Sequence, residues 1–157
     1  MKVVIVGARK RSEAEDEPLV NKLLDGLIKK YPMLRVISAS CDRGVGKIVK
    51  SKCLPDNIGP KPPAQFNFIE IHVRPYLVDS EFTAAEFADI FTARNAMLAE
   101  LGEEFHLFVE EGGPRGMMKD LYDRVRLKGA PFAIYEPGDK EPKAAIFPMA
   151  KAAGAGA

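Results

Sequence analysis

Residues 3–7 read Val-Val-Ile-Val-Gly, four consecutive β-branched residues closed by a glycine. A run that is apolar at every position suits a strand buried on both faces, as in the interior of a parallel sheet. Outward from it, Pro18 stands at a position tolerated at the start of a helix. Leu19, Val20, Leu23, Leu24, Leu27 and Ile28 follow at the spacing of one helical stripe. Tyr31-Pro32 ends that helix, and Leu34 to Ala39 reads as a second strand. Asp42 to Gly46 is a turn and Lys47 to Leu54 a short helix, after which residues 55–65, with four prolines, form a loop. Phe66 to Val73 is the third strand. Thr83-Ala84-Ala85-Glu86 is a capping box that opens the longest helix, running to about Leu101 and ended by Gly102. Phe105 to Val109 is a fourth strand, Met117 to Lys128 a helix ended by Gly129, and Pro131 to Tyr135 a fifth strand.

Alternating strands and helices specify an α/β fold. The expectation is a doubly wound, mainly parallel five-stranded sheet in a Rossmann-like three-layer sandwich, formed by residues 1–135 as one domain. Residues 136–157, rich in Pro, Gly, Ala and Lys, read as a flexible C-terminal extension.

The composition narrows the function. The chain has 157 residues, 46% hydrophobic and 29% charged, which is the balance of a globular domain rather than a disordered one. Its formal charge of +1 disfavours a nucleic-acid partner. No apolar run approaches the ~18 residues of a membrane span, and the start lacks the pattern of a signal peptide, so no membrane partner and a cytoplasmic location are expected. Two cysteines and two histidines, without CxxC or HxxxH spacing, argue against a disulfide framework and a zinc site. No cofactor is expected.

In doubly wound sheets the ligand lies beyond the carboxyl ends of the strands, where the strand order reverses. The loops there carry Gly7 and Arg9, Asp42 and Gly44, and the segment 110–120. Two phosphate motifs fail: Gly46-Lys47 lacks the earlier glycine and the following Ser or Thr of a P-loop, and Gly44-Val45-Gly46 has Val49 in place of a third fingerprint glycine. The segment Glu110-Glu111-Gly112-Gly113-Pro114-Arg115-Gly116-Met117-Met118-Lys119-Asp120 is more informative. It joins a buried strand to a helix start, its glycines allow close backbone approach, and unpaired N–H groups at the helix start favour an anion. A tight connection that merely needs glycine is the plainer alternative. Arg94 falls on the apolar stripe of the long helix, four residues before Leu98. An arginine there needs a partner, either a structural ion pair or a ligand's phosphate or carboxylate. Arg9 is nearest the first strand's end, whereas Lys10 and Arg11 read as a solvated loop. His106, between Phe105 and Leu107, reads as a hydrogen-bonded core residue, and Met117-Met118 as packing. Cys41 has no histidine partner in sequence to make it a nucleophile.

Taken together, four stretches resemble the SLOG superfamily, the Rossmann-like proteins related to Smf/DprA and LOG. They are VVIVGAR, ISASCDRGVGKIV, ARNAML and HLFVEEGGPRGMMKD, in that order over residues 1–135. The last is similar to the LOG signature PGGxGTxxE. The resemblance implies a nucleotide-type ligand and a homodimer. In LOG enzymes it also implies hydrolysis of the N-glycosidic bond of nucleoside 5′-monophosphates. Matched by position, Gly112, Gly113 and Gly116 are the phosphate-cradling glycines, Arg94 the helix arginine and Asp120 the acid. Arg94 and Asp120 are thus the catalytic candidates, and Gly7, Arg9, Asp42, Gly44, Arg115 and Met117 join the glycines as ligand-binding candidates. The chain departs from the signature in four ways. Glu111 replaces the proline, Pro114-Arg115 fills a single position, Met117 replaces the threonine, and Asp120 is one methylene shorter than Glu. A non-catalytic nucleotide sensor is the alternative to the enzyme, and a DprA-like DNA-associated protein is a third reading.

Overall fold

β1 (Lys2–Gly7) lies at the centre of the sheet because its side chains serve two cores at once. The structure, a computed structural model, describes residues 1–39, 43–53, 66–71, 84–141 and 143–146. After β1 come α1 (Glu13–Lys30), β2 (Leu34–Ala39), α2 (Gly44–Cys53), β3 (Phe66–Ile71), α3 (Ala84–Leu101), β4 (Glu104–Phe108), α4 (Gly116–Lys128), β5 (Phe132–Tyr135) and β6 (Lys143–Ile146). The strand order is β3-β2-β1-β4-β5-β6. β1 to β5 are mutually parallel, and β6 pairs antiparallel with β5.

Val4 and Val6 of β1 pack with Ile37, Phe105 and Leu107 against Leu98 of α3 and Leu121 and Val125 of α4. Val3 and Ile5 point the other way, to Val20, Leu24 and Leu27 of α1 and Val45 and Val49 of α2. Helices therefore cover both faces, which is why Val3–Val6 of β1 includes no polar residue.

The expectation of five strands falls one short. β6 lies inside the stretch read as a flexible extension and adds an antiparallel edge strand, with Lys143 opposite Ile134 and Ile146 opposite Phe132. Only four residues long and poor in β-branched side chains, it gives little sequence signal. α1 begins at Glu13, so Pro18 lies within it rather than at its start. Extended Ser12 and an acidic first turn of Glu13, Glu15 and Asp16 begin the helix instead. α2 likewise begins at Gly44, inside the expected turn. Asp42, Cys41, Thr83 and the 55–65 loop lie outside the described residues. Among the described residues no helix is long and apolar enough to cross a membrane.

Two polar devices tie these layers. The Nζ of Lys128 in α4 donates to the carbonyls of Ala99, Glu100 and Gly102 at 2.7, 2.9 and 2.6 Å, closing the end of α3. Gly102 follows because a Cβ there would meet Phe105 and Val4 at 2.5–2.6 Å. On the α1 face, His106 is buried as expected, with Nδ1 2.8 Å from the Tyr135 hydroxyl and Nε2 2.8 Å from Glu104 Oε1. Tyr31 donates its hydroxyl to Glu104 Oε2, and Lys30 approaches the same oxygen at 3.4 Å. Burial alone would raise the Glu104 pKa. Hydrogen bonds from His106 and Tyr31, aided by the charges of His106 and Lys30, outweigh it and hold the group at about 2.

Candidate functional site

The chain winds from β1 through β2 to β3 in one direction and resumes at β4 on the other side of β1. The strand order therefore reverses between β1 and β4, and the loops after these two strands meet at the carboxyl edge of the sheet.

After β1, Ala8 donates its N–H to the Phe108 carbonyl at 2.7 Å. Gly7 is required by packing: a Cβ there would lie 2.6 Å from Cγ2 of Val45. Arg9 is exposed, as is Lys10, but Arg11 is not the solvated residue the sequence suggested. Its guanidinium is buried against Asp16, with Nη1 reaching the carbonyls of Val109 (2.5 Å) and Tyr135 (3.0 Å). The guanidinium carbon sits 5.4 Å from the centre of the Phe108 ring. Arg11 thus closes the carboxyl ends of the β4–β5 pair. A cleft of about 370 Å³ lies beside it, lined in part by Glu15, Asp16, Pro18, Asp139 and Lys140. With Arg11 and Asp16 paired, two carboxylates face one ammonium there, the wrong balance for a phosphate.

Gly44 adopts φ +64° and opens α2. Its N–H is already taken, donating to Glu13 Oε1 at 2.8 Å, while Lys47 Nζ approaches Glu13 Oε2 at 3.2 Å. The Gly44 amide, seconded by Lys47, lowers the Glu13 pKa. Glu13 therefore fills the place that the sequence assigned to a ligand at Gly44. Asp42 lies outside the described residues.

The loop after β4 is the glycine-rich segment. Gly112, Gly113 and Gly116 hold φ of +86°, +108° and +53°, values that side-chain-bearing residues rarely adopt. Gly113 donates its N–H to the Glu110 carbonyl at 3.1 Å. Arg115 folds back so that a Cβ on Gly112 would lie 2.9 Å from its Nη2. Arg115 also precedes α4 in an extended conformation and makes no side-chain cap. Its carbonyl accepts from Met118 and Lys119 at 3.1 and 3.3 Å. Met118 is buried and Met117 half-buried, consistent with packing for Met118.

The two catalytic candidates are linked through Asn95, which the sequence offers only as the second member of the Arg-Asn pair in ARNAML, with no role assigned to it. Arg94 is half-buried, stacked over Phe91 at 4.9 Å, with Nη2 3.0 Å from Asn95 Oδ1. Asn95 is fully buried, and its Nδ2 donates to Asp120 Oδ2 at 2.9 Å and to the Met117 carbonyl at 2.8 Å. Arg124 Nε approaches the Asp120 oxygens at 3.1 and 3.3 Å. Both oxygens of Asp120 are thus engaged within the protein. Asn95 had a signal: it falls four residues after Phe91 and three before Leu98, on the inward stripe, where a buried amide must find partners. Arg11 and Asp16 had none beyond their polarity.

No protein-family model, curated protein or solved structure matches the chain. The geometry of the carboxyl edge therefore carries the functional argument.

Proposed function

We propose that this protein binds a nucleotide or nucleotide-derived ligand at the carboxyl edge of its sheet, with the phosphate on the loop 112–116 and the start of α4. The observation that carries the reading is the trio of positive-φ glycines, which turns backbone toward solvent at the strand-order reversal. Arg115 beside Gly112 supplies a guanidinium suited to phosphate. The strand order β3-β2-β1-β4-β5 and the two helical layers agree with a Rossmann-like sandwich. The SLOG resemblance of the four stretches supports the same reading, and a homodimer and a cytoplasmic location belong to it.

Binding without turnover is favoured over N-glycosidic hydrolysis by one observation. Asp120, the acid in the enzyme reading, spends its carboxylate on Asn95 and Arg124. In the hydrolytic alternative Asp120 would stabilise the ribose as charge develops at its anomeric carbon, with Arg94 and the loop holding the phosphate.

Calorimetric titration with AMP, ADP-ribose, NAD and inorganic phosphate tests the reading. Binding of a phosphate-bearing compound, with adenosine weaker and Arg115→Ala impaired, is expected. Absence of binding by all four overturns it. Chromatography for free base in the same mixtures then separates enzyme from sensor.

A further inference from the structure

We infer that Asn95 is a positioning residue, fixing the first turn of α4 and the Arg94 side chain in a single arrangement against the glycine loop. Its amide is fully buried and every polar atom is used. Nδ2 bridges the Met117 carbonyl and the Asp120 carboxylate, both in the opening turns of α4. Oδ1 accepts from Nε and Nη2 of Arg94, the preceding residue in α3. One amide group therefore sets where α4 begins relative to α3.

The loop that joins β4 to α4 has few other ties at its exit among the described residues. Arg115 makes no side-chain cap, and Gly112, Gly113 and Gly116 lack the side chains that would pack it. The other end is held separately, where Arg11 binds the Val109 carbonyl. The loop is thus fixed at its start from the β1–α1 connection and at its end from α3, with three glycines between. A buried amide with two donors can be replaced by no apolar side chain without taking a donor from the Met117 carbonyl and from the Asp120 carboxylate, which then keeps only Arg124 among the partners described. The consequence for a ligand rests on the nucleotide reading of this edge, whereas the consequence for the loop does not.

Hydrogen exchange followed by NMR tests both parts on the full chain. In Asn95→Leu, the amides of Gly113, Met118 and Lys119 should exchange about tenfold faster, the scale of one lost buried hydrogen bond, while those of Val4 and Val6 hold their rates. AMP affinity should fall in the same variant. Asn95→Asp, which keeps the volume and the acceptor for Arg94 but loses both donors, should loosen the same amides. Unchanged rates in these variants overturn the inference. So does a rise shared by the whole chain, which marks a stability role alone, and so does a loosened loop with unchanged AMP affinity. In wild type, side-chain amide protons of Asn95 that exchange as fast as a free amide overturn it without any variant. If wild type binds neither AMP nor inorganic phosphate, the nucleotide reading fails, and the exchange rates alone decide the role of Asn95.

Discussion

Arg11 and Asp16 meet in a two-point ion pair, Nε to Oδ2 at 2.8 Å and Nη2 to Oδ1 at 2.5 Å, with side chains only 3% and 2% exposed. Arg11→Ala strands a buried carboxylate and takes a donor from two strand-end carbonyls, of which Tyr135 keeps the Val109 N–H. It should lower unfolding free energy by about 3–5 kcal/mol, because an unpaired buried charge is far costlier than the pair is favourable. Arg11→Met combined with Asp16→Leu should recover much of the loss. Urea melts of the three proteins check this, and a single-variant loss below about 1 kcal/mol, the scale of a surface pair, would contradict it.

Glu104 gives the protein an acid-sensitive core. Its carboxyl titrates at about 2 in the folded chain, against 4.5 ordinarily. A depressed carboxyl pKa adds stability that is complete above pH 4.5, declines as the pH falls, and is gone below about pH 2. The full effect is on the order of 3 kcal/mol. Stability measured from pH 6 down to pH 2 should therefore fall more steeply in wild type than in Glu104→Gln. Parallel curves would show that His106 and Tyr31 do not hold the carboxylate as described.

Gly7 is a packing glycine first. Gly7→Ala should cost about 1–3 kcal/mol by overpacking against Val45. Val45→Ala in the same chain should relieve the clash, so that the double variant is more stable than the sum of the two single losses allows. Thermal melts of this cycle decide the point, and strict additivity would mean that the two side chains do not meet.

The fold was legible wherever burial was two-sided or a helix end was marked. Val3–Val6 announced a central strand because both of its faces pack on helices. Gly129, left-handed at φ +73°, announced the end of α4. Pro18 misled because proline marks the first helical turn only by preference, and Ser12 with the acidic turn outweighed it. β6 escaped because four residues pairing with an edge strand need no periodicity. At the candidate site the glycines could be read from sequence, since positive φ selects glycine. The partners of Arg11 could not. Arg11 lies 98 residues from Val109 and 124 from Tyr135, and such contacts exist only once the sheet has formed.

The parallel order of β1 to β5 has an electrical consequence. Each connecting helix leaves the carboxyl end of one strand and returns to the amino end of the next, so α1, α2, α3 and α4 all begin at the same edge. Their peptide dipoles are therefore aligned, each placing roughly half a positive charge at that edge and half a negative one at the opposite edge. Lys128, set against three carbonyls at the close of α3, neutralises part of the negative pole. A chain with a formal charge of only +1 is thus polarised along its strands, and its attraction for anions should be local to the glycine-loop edge and weaken as salt is added.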